Sequence, residues 1–509
     1  MPILGSIIKG AINIRSKIPN RRSGEKQQIK QLKKILFKAR NTDFGKQFGF
    51  STILMQEDPI KMFQSQIPIL DYQTIFDGWW HRALKGEKNV SWPGKIKYFA
   101  LSSGTSESSS KHIPVTKSMI KAIQKGTFKQ ILATKHFNFS KEQYQTDVLF
   151  VGGSTNLNFN GTCFTGDLSG ITTGTQPLWF QNFSLPGPEI RAQKSWEDKL
   201  EEIVLNAKSW NVGFICGLPA WIQILFERII QHYQVKTIHD VWPNLVMFVH
   251  GGVSILPYKN SINNLCGKPL VYMDTYMASE GFIAYQERPN EAQAMKLMTD
   301  NQIFFEFIPF TNQNFDSEGN ILPNANAIDL SKVELNKEYA IVISNCAGAW
   351  RYLIGDTIKF LDLKRNEIII TGRTKHFLSL CGEHLSVENM NNAIKLTASY
   401  FKININEYCV VGLPFEGLFS HTWYVGIDEN INLKELTERL DGYLKELNDD
   451  YAVERQHALK EIKVIPLQNK VFIDFLASKN KLGGQSKFPR VLKGKQLNEW
   501  LAFLENIKN

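Results

Sequence analysis

Tyr98-Phe-Ala-Leu-Ser-Ser-Gly-Thr-Ser-Glu-Ser-Ser-Ser-Lys111 carries a short apolar run into nine residues of serine, threonine, glycine and one glutamate, then ends on lysine. Small side chains let backbone N–H groups approach anionic oxygens, and hydroxyls add further donors. Lys111 places a positive charge at the far end of the loop. A strand feeding such a loop suits a polyphosphate and predicts a nucleotide-handling α/β protein. The competing reading is a solvated serine-rich linker. A Walker loop is excluded, because Ser109 and Ser110 stand where that pattern needs glycine and lysine after Gly104.

Downstream, short apolar runs alternate with amphipathic stretches, as in a mainly parallel sheet covered by helices. Strands are predicted at Asp147–Val151, Val212–Cys216, Leu245–Val249 and Leu270–Met273, and helices at Trp196–Trp210 and Ala220–Gln234. Most of these strands stop at a glycine or polar turn: Gly152-Gly153, His250-Gly251-Gly252, Asp274-Thr275-Tyr276. Ligands of open α/β sheets bind beyond the carboxyl ends of strands, so these turns and the serine-rich loop are expected on one rim. A smaller α+β domain is predicted from about residue 376, with the large domain over 1–372. Its elements read as helix Val387–Tyr400, strands Tyr408–Gly412 and Trp423–Ile427, helix Leu433–Asn448, strand Ile462–Pro466 and helix Val471–Ser478.

At 509 residues, 43% hydrophobic and 21% charged, the chain is long enough for two domains and too apolar for disorder. The net charge of +10 lies wholly within residues 1–40, which hold eleven Lys/Arg and only Glu25 as an acid. Ile29, Leu32, Ile35 and Leu36 recur there at helical spacing between lysines, so a solvated helix face is expected and no nucleic-acid partner. The six cysteines are scattered without C-x-x-C, and Cys381 with His384 lacks further zinc ligands. They read as reduced thiols of a cytoplasmic protein. Lys9, Arg15 and Lys17 interrupt the first twenty residues, and no run of about 18 apolar residues follows. Neither a signal peptide nor stable membrane association is expected.

Four segments carry candidate chemistry. Tyr276-Met-Ala-Ser279-Glu280-Gly offers a ring for stacking on a base and a carboxylate for Mg²⁺; the plain alternative is a core tyrosine and a surface cap. Arg351-Tyr-Leu-Ile-Gly355-Asp356 sets an acid after a glycine turn, suited to ribose hydroxyls, or else capping its own turn. Gly372-Arg373 would be a hinge with a phosphate-reaching guanidinium, or an ordinary turn. Lys487, in Gly483-Gly-Gln-Ser-Lys487, would be a mobile cation, or simply solvated.

In this running order the segments resemble the adenylate-forming superfamily, and within it the auxin-responsive acyl-acid amido synthetases, the Gretchen Hagen family. Asn41-Thr-Asp-Phe-Gly45-Lys-Gln-Phe-Gly49, Phe304-Phe-Glu-Phe-Ile-Pro309 and Lys481-Leu-Gly-Gly-Gln-Ser-Lys487-Phe-Pro-Arg490 are similar to that family too, over about residues 27–497. The resemblance implies a large N-terminal α/β domain of adenylate-forming type with a smaller C-terminal α+β lid. It implies phosphate contacts from Ser102, Ser103, Gly104, Thr105, Ser106 and Lys111. Gly252, Val253, Thr275 and Tyr276 would line the adenine and Ser279 would also contact ATP, with Asp356 at the ribose and Arg373 at the hinge. Glu280 would hold Mg²⁺, and Lys487 would be the catalytic lysine. The sequence departs from the superfamily at Glu107, in a loop that usually continues with glycine and proline, and at Lys375, where the hinge commonly has Asp.

A carboxylate acylates an amine only after activation, because oxide is not a leaving group near neutral pH. The implied activity is ATP-dependent adenylation of a carboxylic acid, then acyl transfer to an amine, expected to be an amino acid, with release of AMP and pyrophosphate. An acyl-CoA synthetase and a non-catalytic adenylate-binding protein are the alternatives. Phe164, Leu218, Trp221 and Phe282 are candidates for the acyl pocket, or else sheet-covering core. ATP and Mg²⁺ are the expected small molecules, and a monomer the expected state.

Overall fold

The computed structural model describes residues 23–102, 111–252, 254–256, 258–316, 319–374, 378, 383, 385, 387–415, 418–457, 459–479 and 488–508. Its frame is one twelve-stranded mixed sheet, a four-stranded sheet beside it and a separate three-stranded sheet near the C-terminus. The parallel part of the large sheet holds Ser184–Leu185, Asp147–Val151, Val212–Gly217, Met247–Gly251 and Val271–Ala278. Helices Trp196–Asn206 and Pro219–Tyr233 cover it and pack on Trp242 and Phe248.

The expected mainly parallel sheet is corrected to a mixed one. From Gly281 onward every strand of the large sheet pairs antiparallel: Gly281–Tyr285, Met295–Leu297, Ile303–Pro309, Ile328–Asp329, Glu338–Asn345, Tyr352–Asp362 and Glu367–Arg373. The connections are the cause. Parallel strands need a crossover of a dozen or more residues, whereas Ala278 reaches Gly281 through two. The strand predicted to stop at Met273 runs on to Ala278 for the same reason.

From Gly24 on, the N-terminal charge cluster is the solvated helix face expected of it, while Lys9, Arg15, Lys17, Arg21 and Arg22 lie outside the described residues. Helix Gly24–Ala39 starts from a Ser23 cap, buries Leu32, Ile35 and Leu36, and exposes Lys26, Lys30, Lys33, Lys34 and Lys38. Its buried glutamines stitch it to the sheet: Gln28 donates to Thr299 O at 2.9 Å and accepts from Phe305 N at 2.7 Å.

Beyond residue 387 the elements follow the expected order. Helix Val387–Phe401, strands Tyr408–Phe415 and Leu418–Gly426, helix Leu433–Leu447, strand Leu459–Leu467 and helix Asn469–Ser478 are completed by helix Gly494–Lys508. The middle strand pairs antiparallel with the first and parallel with the third. Trp423 and Tyr408 centre one apolar cluster of this unit, and Trp500 the other.

Candidate active site

The serine-rich stretch joins two antiparallel strands, Tyr98–Ser102 and Lys111–Val115, with Ser102 opposite Lys111. Lys111 is therefore the first residue of the returning strand, with Nζ 5.3 Å over the Tyr72 ring. Ser103, Gly104, Thr105 and Ser106 lie outside the described residues, as do Glu107, Val253, Lys375 and Lys487.

Strand Val271–Ala278 turns at Ser279-Glu280, where Gly281 has φ +147°, a backbone that L side chains rarely adopt. Period-two alternation puts Asp274 and Tyr276 on one face. The Tyr276 hydroxyl donates to Asp356 Oδ2 at 2.5 Å, and Arg373 Nε lies 2.8 Å from Oδ1 in an ion pair. Asp356 and Arg373 face each other across adjacent strands. Three residues predicted from separate motifs thus meet in one group joined by a hydrogen bond and an ion pair. The expected stacking ring of Tyr276 is only 5% exposed, and its hydroxyl is the part with a defined partner.

The glycine turn expected before Asp356 is a β-bulge within one strand. Between the pairs Val342↔Leu353 and Ala340↔Thr357, Ile354, Gly355 and Asp356 stand opposite Ile341 alone. Gly355 has φ +90°, and its carbonyl accepts from Thr374 N at 2.8 Å. Such a bulge re-aims a side chain out of the regular pleat, here the ribose candidate.

Glu280 is 7% exposed, and its backbone carbonyl accepts from Asn345 Nδ2 at 2.7 Å. Burial raises its carboxyl first, and the Asp356 charge raises it further; Arg373 and Lys111 oppose the shift. Burial, and then the charge of the same carboxyl, keep the Tyr352 phenol neutral. Lys111, Glu280, Tyr352, Asp356 and Arg373 therefore feel one another although they come from three sequence regions. Arg373 is held protonated above all by Asp356. Among the described residues no group of three or more His, Cys, Asp or Glu could hold a metal unaided. A single buried carboxylate suits Mg²⁺ shared with substrate phosphates, the usual way that ion is bound.

Of the adenine-side candidates, Gly252 is exposed at φ +81° directly after strand Met247–Gly251. Thr275 lies beside it, its hydroxyl accepting from Gln130 Nε2 and its N–H donating to Asp274 Oδ1 at 2.8 Å. Two residues not assigned from sequence complete this corner. His250 is buried and stands 3.5 Å from Asp274 Oδ1, with no hydrogen bond to either ring nitrogen among the described residues. Burial drives His250 down to about 3 and pushes Asp274 up to about 7. Counting two residues back from Tyr276 would have found Asp274.

Because the Asp274 carboxyl sits above its unfolded value, the folded state binds that proton more tightly. Its contribution is full below about pH 4 and is lost as pH rises through about 7. Urea titrations between pH 4 and 8 should show a stability decline that is smaller in Asp274→Asn; an identical decline in the variant would contradict this.

The acyl-pocket candidates do not form one packed group. Phe282 is core, its ring lying so close to Gly126 that a Cβ there would meet it at 2.5 Å. Trp221 is 5% exposed and packs edge-on against Trp196 in the cluster that Leu218 flanks. Phe164 stacks near Tyr98 and Phe159. Arg351, the opening residue of its motif, is structural: it is buried, pairs with Glu306 at 2.9 Å and donates to Gln64 O and Ile67 O.

Models of the GH3 family N-terminal, central and C-terminal domains match residues 20–161, 296–370 and 388–496. The chain belongs to the GH3 family. Among its GH3 relatives, jasmonoyl–L-amino acid synthetase JAR6 of Nicotiana attenuata is 22% identical over 400 residues, 66% of each chain. Indole-3-acetic acid-amido synthetase GH3.6 of Arabidopsis thaliana is 26% identical over 186 residues, 33% of this chain and 30% of that one. The chain thus spans less than two thirds of the length of these curated GH3 relatives in either match. Among solved structures, GH3.15 acyl acid amido synthetase superposes with TM-score 0.77 at 14% identity, covering 98% of this chain and 96% of that one. A 2-hydroxyisobutyryl-CoA ligase gives 0.57 at 12% identity over 95% and 92%. The GH3 fold here is accordingly that of adenylate-forming enzymes, with a large N-terminal and a smaller C-terminal domain.

Proposed function

We propose that this protein is an ATP-dependent acyl-acid amido synthetase joining a carboxylic acid to an amino acid. The main support is the joining of Tyr276, Asp356 and Arg373 beside buried Glu280, together with the likeness to GH3.15 acyl acid amido synthetase along nearly the whole chain.

In the first half-reaction a carboxylate oxygen of the acid bonds to the α-phosphorus of ATP, and the bond to the β-phosphate oxygen breaks to release pyrophosphate. Ser102 to Ser106 and Lys111 bind the phosphates, and Lys487 stabilises charge as it builds on the reacting oxygens. Asp356 accepts from the ribose hydroxyls; one of its oxygens holds the Tyr276 hydrogen bond and the other faces Arg373, and each carboxylate oxygen has two lone pairs to accept with. Gly252, Val253, Thr275 and Tyr276 line the adenine, and Ser279 also contacts ATP. Asp274, titrating near neutral pH, can present both a donor and an acceptor there. Glu280 would hold Mg²⁺, which when bound neutralises phosphate charge and leaves the α-phosphorus more electrophilic. In the second half-reaction the amine nitrogen bonds to the acyl carbon, the carbon–oxygen bond to AMP breaks, and the nitrogen loses a proton.

The reactive anhydride needs shielding from water, which a lid formed by residues 376–509, hinged at Arg373 to Lys375, would supply over a large domain of residues 1–372. Phe164, Leu218 and Trp221 are proposed at the acyl side. The enzyme is proposed to act as a monomer in the cytoplasm. A thioester synthetase is the second reading, supported by the likeness to a CoA ligase. Product analysis with one acid, ATP, and either CoA or a panel of amino acids separates them: an amide is expected, and a thioester with no amide would overturn the proposal.

A further inference from the structure

Three side chains, Tyr258 buried and Glu407 and Arg490 partly so, join the large and small domains in a contact that the chemistry above leaves unused. Tyr258, 3% exposed, follows the adenine-side segment and donates its hydroxyl to Glu407 Oε1. The other oxygen of Glu407 accepts from Arg490 Nη1 at 2.7 Å. Arg490 also donates to Tyr408 O at 3.0 Å and lies 4.5 Å over the Tyr408 ring. Next to them Ser261 Oγ donates to Asn406 Oδ1 at 2.9 Å.

One carboxylate is therefore divided between two domains. Glu407 and Arg490 both belong to the small domain, where Arg490 O accepts from Val410 N at 2.8 Å. If that domain turned away, the Glu407–Arg490 pair would travel intact, and Glu407 would lose only the Tyr258 hydroxyl. Burial by itself would lower Arg490, but the Glu407 carboxylate and then Tyr258 hold it protonated; burial and then Glu407 keep Tyr258 neutral. The contact is thus a neutral donor on a charge-paired acceptor, a type worth about tenfold or more in an equilibrium. Its position along the chain gives it meaning. Tyr258 is six residues beyond Gly252, and Arg490 three beyond Lys487.

We propose that Tyr258, Glu407 and Arg490 form a latch that holds the small domain in the orientation for adenylation, with Tyr258 as a positioning residue. This rests on the adenylate-forming function proposed above. The latch sets how often the Lys487-bearing segment is presented to the nucleotide, without touching the nucleotide itself.

Tyr258→Phe removes only the hydroxyl. Acid-dependent pyrophosphate exchange should fall about tenfold, while amide formation from preformed acyl adenylate keeps its rate. Equal losses in both half-reactions, or no loss in either, would overturn the latch. Hydrogen exchange at residues 258–264 and 404–408, read without substrates, should rise in the variant, and unchanged exchange there also counts against it. Raised exchange in a protein that adenylates no acid would sink the function and leave the latch standing. Should Tyr258→Phe fail to fold, Ser261→Ala weakens the same junction and should give the same split between half-reactions.

Discussion

Lys487→Ala lowers acid-dependent pyrophosphate release by about 10²- to 10³-fold while ATP still binds. The size follows from what one well-placed donor or cation contributes to charge that exists only in the transition state. ATP binding is expected to survive because the proposed adenine and ribose contacts, Thr275, Tyr276 and Asp356, are held by hydrogen bonds within the large domain. Single-turnover pyrophosphate release and equilibrium nucleotide binding, measured on the same preparation, check both halves. Turnover close to that of the unaltered protein would remove Lys487 from the chemistry.

Arg351→Ala destabilises the fold by about 3–5 kcal/mol, the range for breaking a buried ion pair on one side. Glu306 has no exposed surface, and the arginine gives it a bidentate contact while also closing the carbonyls of Gln64 and Ile67. Removing the guanidinium leaves a buried carboxylate with its charge uncompensated and only the Gln64 amide donating to it, and frees two backbone acceptors as well. Arg351 also has φ +42°, a strain that alanine retains, so the loss of contacts has no backbone relief to offset it. Urea unfolding monitored by tryptophan fluorescence measures the change. A loss below about 1 kcal/mol would place the pair among those that contribute little.

Arg351 also marks where reading the sequence stops. As a motif member it reads as the start of a nucleotide segment, but its role is fixed by Glu306, 45 residues earlier, on an apolar strand whose lone acid has no local explanation. Pairings of that kind are set by tertiary contact and leave no periodic trace. Local signals were sufficient elsewhere. Asp147–Val151 was legible to the residue because a β-branched apolar run ends at two glycines, and helices Val387–Phe401 and Leu433–Leu447 were legible from their apolar stripes, whereas helices Asp449–His457 and Gly494–Lys508 were not. The strand through Asp274-Thr275-Tyr276 was cut short because polar residues look like a turn. Gln286, Gln130 and Asp356 supply partners that let those residues stay in a sheet. The bulge at Gly355 was half visible: the glycine announced a special backbone, but not that three residues would face one.

The account turns on an acyl adenylate, and isotope transfer tests that most directly. The acid is supplied with both carboxylate oxygens as ¹⁸O, and AMP is analysed by mass spectrometry after amide formation. Attack on the α-phosphorus predicts one ¹⁸O in the AMP phosphate and one in the amide carbonyl. AMP without label, or label in inorganic phosphate, would contradict it.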